Sequence, residues 1–136
     1  MKVILDTNIW VSFLLGHQTN LMRRILTDKR FDVYVCDQLI REIMDVTGRE
    51  KIRKYVGIND IAGLLSVIRA FCQSVDVIDN NAHDIRDPKD AYLLSLAEAI
   101  GATYIVSGDK DLTDLKSSGE TKIIKLADFK SMMLYN

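Results

Sequence analysis

Apolar strand-like runs alternate with amphipathic helical stretches along this chain, which predicts a three-layer α/β/α domain with a mostly parallel sheet. Two observations carry the prediction. Residues 2–5 and 103–107 form near-continuous apolar runs, as expected of central strands covered on both faces. The gaps between strand-like runs carry apolar residues at helical spacing, each stripe closed by a turn or capping residue. Right-handed crossovers then bring the start of every strand-following helix to one edge of the sheet.

The elements follow in order. The strand at 2–5 ends in Asp6-Thr7-Asn8, and Ile9, Trp10, Phe13 and Leu14 supply the apolar side of the helix that begins there. Leu21, Met22, Ile25 and Leu26 mark a second helix before the strand at 32–36. Asp37 is the expected N-cap of the next, with Leu39, Ile40, Ile43 and Met44 as its stripe. Residues 48–57 read as a short, more exposed helix. Asp60 is the expected cap of a helix through Leu64, Leu65, Ile68, Phe71 and Cys72. A strand is expected at 75–78. Asp87-Pro88-Lys89-Asp90 reads as a helix start, with Asp87 at N-cap, Pro88 at N1 and Asp90 at N3. That helix continues through Leu93, Leu94, Ala97 and Ile100 and stops at Gly101. After the strand at 103–107, Gly108 permits a tight turn into a short helix with Leu112 and Leu115. A strand at 122–125 and a helix after Asp128 complete the chain.

Length and composition fit one domain over residues 1–136. The chain has 136 residues, 48% of them hydrophobic and 27% charged, so it is globular rather than disordered. Cys36 and Cys72 lie in apolar segments without a paired framework, and reduced, buried thiols are expected. The N-terminus enters a strand directly, and no run reaches the roughly 18 apolar residues of a membrane span. A cytoplasmic protein without membrane contact is the expectation. The net charge of −1 argues against a general nucleic-acid binder. Yet basic residues cluster at Arg23, Arg24, Lys29 and Arg30, and again at Arg49, Lys51, Arg53 and Lys54. They read either as solvated helix faces or as groups that steer a phosphate backbone.

The chemistry lies in the acids. Asp6, Glu42, Asp87, Asp90, Asp109 and Asp111 fall at expected strand ends or in early helical turns. Singly, Asp6 and Asp87 read as helix caps, and Glu42 as a solvated glutamate. Asp90 heads the stripe Leu93, Leu94, Ala97, so it points toward the sheet, where an acid needs a partner. Asp109 and Asp111 in one turn exceed what a cap requires. Together they would repel one another and call for a divalent cation; Mg²⁺ and Mn²⁺ prefer such oxygen donors. A cation so held can activate water against a phosphodiester. His17 and His83 show no ligand spacing.

The ordered set resembles a PIN domain across essentially the whole chain. It comprises Leu5-Asp6-Thr7-Asn8, Glu42 on the helix after the second strand, Asp87-Pro88-Lys89-Asp90-Ala91, and Ile105-Val106-Ser107-Gly108-Asp109-Lys110-Asp111-Leu112. The resemblance implies a five-stranded parallel sheet in the order 3-2-1-4-5. It implies a Mg²⁺- or Mn²⁺-dependent endoribonuclease cutting single-stranded RNA. Asp6, Glu42, Asp90 and Asp109 match the family's acidic quartet, and Asn8 and Ser107 its polar helpers. Asp111 competes with Asp109 for the fourth place, and Asp87 less seriously with Asp90. Asp6, Asp90, Asp109 and Asp111 are then the expected metal ligands. The bare domain looks like the toxin of a type II toxin–antitoxin pair, VapC-like in the broad sense, which implies a cognate antitoxin and a homodimer. The rival readings are a PIN module that binds RNA or a partner without cutting, and a receiver-like phosphoacceptor. The latter would want an acceptor after the third strand, where Asp79 is the candidate.

Overall fold

The computed structural model describes residues 1–76 and 90–134. Asp79, His83 and residues 87–89, together with the end of the strand expected at 75–78, lie outside these described residues.

The centre of the molecule is β1 (Lys2–Leu5), whose Val3, Ile4 and Leu5 are fully buried. It pairs in parallel with β2 (Asp32–Val35) on one side and β4 (Tyr104–Val106) on the other. A strand with neighbours on both edges and apolar residues on both faces must be covered above and below, which explains its unbroken run of aliphatic residues. β3 (Gln73–Ser74) extends the sheet beyond β2, and β6 (Thr121–Ile124) extends it beyond β4, both in parallel. The predicted order of parallel strands is therefore observed. A further strand, β5 (Ser117–Ser118), pairs antiparallel with β6 and makes a six-stranded sheet of order β3-β2-β1-β4-β6-β5. Two polar residues give no apolar period, so this edge strand is silent in the sequence.

The helices are α1 (Thr7–Leu15), α2 (Thr19–Thr27), α3 (Asp37–Thr47), α4 (Glu50–Arg53), α5 (Ile58–Phe71), α6 (Ala91–Ile100), α7 (Lys110–Thr113) and α8 (Leu126–Leu134). α1 packs on α2 and α3, α3 also packs on α5, and α6 lies against β1 and β4. Trp10 and Phe13 of α1 are completely buried and meet edge to face, with ring centroids 6.0 Å apart. None of the helices among the described residues is long and apolar enough to cross a membrane.

Several helix starts differ from expectation. α3 begins at Asp37 itself, with Cys36 in the N-cap place. α5 begins before Asp60, whose carboxylate accepts from the Gly57 N–H at 2.9 Å; Asp60 is the N3 acid rather than the N-cap. α8 starts at Leu126, ahead of Asp128. The regular part of α6 starts at Ala91, directly after Asp90, whose own backbone is helical; the helix start expected at Asp87 and Pro88 lies outside the described residues. Both cysteines are free thiols; Cys36 is buried as expected, Cys72 only half-buried, and burial pushes Cys72 up to about 12.

Gly101 ends α6 in the left-handed region at φ 66°, and the next N–H, of Ala102, returns to the Ala97 carbonyl at 2.9 Å. A Cβ there would meet nothing within 4 Å, so only the backbone conformation resists a side chain. Gly101→Ala is expected to cost about 1 kcal/mol. In a urea melt this lowers the midpoint and leaves the slope unchanged; an unchanged midpoint would contradict the assignment.

Candidate active site

The pairing of β1 with β4 sets the site. The register places Leu5 beside Val106, and the next residues, Asp6 and Ser107, emerge together at the carboxyl edge of the sheet. The Asp6 N–H still donates to the Val106 carbonyl at 2.9 Å, so the two chain segments leave the sheet side by side. In open parallel sheets this edge, where strand order reverses, is where ligands bind.

Asp6 is only 3% exposed, and both its carboxylate oxygens are engaged. Oδ1 accepts from the Thr7 N–H at 2.7 Å, which caps α1, and Oδ2 accepts from the Ser107 hydroxyl at 2.6 Å. Ser107 Oγ in turn accepts from the Asp109 N–H at 3.0 Å, and Asp109 Oδ1 accepts from the Asp111 N–H at 2.9 Å, capping α7. A relay of hydrogen bonds thus fixes Asp111, Asp109, Ser107 and Asp6 relative to one another. Asp6 serves as both a cap and a member of this buried cluster, so the cap reading was correct but incomplete.

Across the site, half-buried Glu42 on α3 accepts a short hydrogen bond at Oε2 from the Tyr92 hydroxyl on α6. Burial, then the bond to Glu42, push the Tyr92 hydroxyl far above the ordinary phenol range, so it stays a donor. Asp90 opens the same helix, is 5% exposed, and does not cap it with its side chain. Asp109 and Asp111 are partly buried, and Asn8 is exposed on the first turn of α1.

The electrostatics are those of crowded acids. Burial drives the Asp6 carboxyl from 3.8 up to about 6, against the pull of its Ser107 and Thr7 bonds, and the charges of Glu42 and Asp109 push it further. Among the described residues none of Asp6, Glu42 and Asp109 is ion-paired. No group of three His, Cys, Asp or Glu side chains among the described residues is arranged to hold a metal ion. Each acid is instead tied to a neutral donor: Asp6 to Ser107, Glu42 to Tyr92, Asp109 to the α7 backbone. The donor set itself, hard carboxylate oxygens with an excess of negative charge, is chemically suited to Mg²⁺ or Mn²⁺.

The chain matches the PIN domain family over residues 2–111. It belongs to that family. No curated protein matches it in sequence. Solved structures share the fold. The PIN chain here aligns with PAE2754 from Pyrobaculum aerophilum at a TM-score of 0.66 and 13% identity, covering 100% of this chain and 91% of that one. VapC20 of Mycobacterium tuberculosis, a Sarcin-Ricin loop cleaving toxin, aligns at 0.62 and 13% identity, covering 88% and 98%. VapBC2 from Rickettsia felis, solved bound to a DNA fragment from its promoter, aligns at 0.60 and 14% identity, covering 92% and 98%. PIN membership sets aside the receiver-type phosphoacceptor.

Two features escaped sequence reasoning. Tyr92 reads as one more apolar residue of the α6 stripe, and only the packing of α6 toward α3 aims its hydroxyl at Glu42. The basic groups also separate. Residues 28–31 precede β2, so they lie at the opposite edge of the sheet from the acids. There Arg30 pairs with Asp28 at 2.6 Å and donates to the Met133 carbonyl at 3.0 Å, a structural use of its charge. Of the second cluster, Arg49 reaches a cleft beside Glu42.

Asp6 gives a pH-dependent signature in metal-free protein. Its folded value lies above the unfolded one, so the folded state binds the proton more tightly. Stability is fully present below pH 4 and falls as pH rises through about 6, a loss of about 3 kcal/mol. Asp6→Asn keeps the cap and removes the charge. It is expected to melt higher than the parent protein at pH 8 and alike at pH 4. An equal deficit at both pH values would refute the buried-charge account.

Proposed function

We propose that this PIN protein is a divalent-metal-dependent endoribonuclease that hydrolyses phosphodiester bonds of single-stranded RNA, and that it is the toxin of a toxin–antitoxin pair. The observation that carries the nuclease reading is the buried acid cluster at the carboxyl edge of the sheet, with Asp6 raised to about 6 and pressed by Glu42 and Asp109. A PIN fold supports it, as does the likeness to a toxin that cleaves the Sarcin-Ricin loop. The likeness to VapBC2 supports a cognate antitoxin as partner. A homodimer remains part of the proposal, and light scattering of the purified protein measures it.

In this reading Asp6, Asp90 and Asp109 are the carboxylates that would close on Mg²⁺ or Mn²⁺, with Asp111 in support. When bound, such an ion would supply a water of lowered pKa and positive charge beside the phosphate. Ser107 and the Thr7 N–H orient the Asp6 carboxylate. Tyr92 fixes Glu42 through Oε2, which leaves Oε1 to accept a hydrogen bond from the attacking water and align it. Tyr92 is thus a positioning residue. Asp109 is favoured over Asp111 as the fourth acid because its charge acts on Asp6 and its N–H is bonded to Ser107. Asn8, exposed on α1, is left a role at the substrate side rather than within the cluster.

The test is cleavage of a labelled single-stranded RNA with Mg²⁺ or Mn²⁺. Asp6→Asn is expected to abolish cleavage while circular dichroism shows an intact fold, and EDTA is expected to abolish it in the parent protein. Full activity in Asp6→Asn would sink the assignment. Tyr92→Phe is expected to lower kcat by roughly 10–100-fold, the usual effect of losing a group that orients a metal-site acid. Unchanged kcat would remove Tyr92 from the mechanism.

A further inference from the structure

Beside the acid cluster lies a cleft of about 290 Å³, lined by Gln38, Arg41, Glu42, Asp45, Arg49 and Tyr92. Gln38, Glu42 and Asp45 recur at helical intervals and form one ridge of α3, and Arg49 follows in the N-cap place of α4. Glu42 and Tyr92 are the residues joined across the candidate active site, and they form one wall of this cleft. The cleft therefore shares Glu42 with the site.

Two arginines line this cleft. Among the described residues no carboxylate lies within ion-pair distance of Arg41 or Arg49, although Asp45 shares the cleft. Arg41 reaches only the Asp37 carbonyl, at 3.5 Å. Both residues are exposed, so their charges are available to a ligand. By contrast Arg30, in the other basic group, is committed to Asp28. Arginine presents a fixed fork of donors that fits phosphate oxygens in pairs, and Gln38 adds an amide beside them. An acid cluster repels an anionic chain, and cationic groups at its margin offset that repulsion.

We propose that this cleft is a phosphate-binding subsite, in which Arg41 and Arg49 hold backbone phosphates of single-stranded RNA flanking the one presented to the acids. Arg41 lies within α3 and Arg49 beyond its end, in the extended N-cap place of α4, so the two side chains reach the cleft from different elements. The proposal rests on the nuclease reading for its choice of RNA, and the test separates the two.

Binding of a fluorescent ten-nucleotide uridine oligomer is measured in EDTA across a salt series, for the parent protein and for Arg41→Gln/Arg49→Gln. The double variant is expected to bind about tenfold more weakly. Its log-log salt slope is expected to shrink by about 1.4, the loss of two single-strand phosphate contacts. In the cleavage assay KM is expected to rise by a similar factor with kcat within twofold. Arg41→Lys/Arg49→Lys keeps the charges and is expected to recover the salt slope but only part of the affinity. If the parent cleaves RNA and the double variant keeps its affinity, KM and slope, the subsite is overturned and the nuclease reading stands. If the parent cleaves nothing yet the double variant loses affinity and slope, the subsite stands and the nuclease reading falls. Displacement of the oligomer by polyglutamate at equal concentration would show a surface for acidic protein, and would overturn the RNA assignment.

Discussion

The parallel pairing of β1 with β4 is the constraint on which the rest depends. These strands adjoin in space but are separated in sequence by most of the chain. Their register brings Asp6 and Ser107 to the same point of the edge, where the Ser107 hydroxyl meets Asp6 Oδ2 at 2.6 Å. From that bond the relay reaches Asp109 through its N–H and Asp111 through the α7 cap. On the other side α3 and α6 close the site with Glu42 and Tyr92. Val3, Ile4 and Leu5 are fully buried, so Asp6 leaves the sheet from its packed centre.

The site opposes stability. A carboxyl held at about 6 while charged at neutral pH costs the fold about 3 kcal/mol, a sizeable share of the 5–15 kcal/mol available to a domain. Hydrogen bonds from Ser107 and Thr7 offset part of this and do not cancel it. A structure under no functional demand would replace Asp6 with a neutral cap such as Asn or Ser, which would do the same work for α1. The sheet is also polarised. Its carboxyl edge concentrates acids with neutral donors, while its opposite edge carries Arg30 neutralised by Asp28.

Much of this was legible in the sequence where local signals agree with tertiary ones. The unbroken apolar runs identify the central strands because burial on both faces leaves no room for alternation. Asp6 and Asp109 stand out because each ends such a run. Asp90 is buried, as its place at the head of the α6 stripe predicts. Other features have no local signal. β5 is two serines held only by β6. The Tyr92 hydroxyl is indistinguishable in sequence from an aromatic filler, since its value comes from a partner fifty positions away on another helix. Arg41 was passed over because it stands alone among polar residues of α3. The two readings of Arg23, Arg24, Lys29 and Arg30, solvated face or phosphate steering, stay open in the sequence because charge clustering carries no information about which end of a strand a residue occupies.

The proposed function requires the acid edge to take a divalent cation, and direct binding tests this without reference to any substrate. Mn²⁺ is titrated into metal-free protein at pH 7.5, with calorimetry for binding and a thermal melt for stability. The account predicts saturable binding with a raised Tm in the parent protein, and loss of both in Asp6→Asn. No saturable binding at millimolar Mn²⁺, or equal binding by Asp6→Asn, would contradict it.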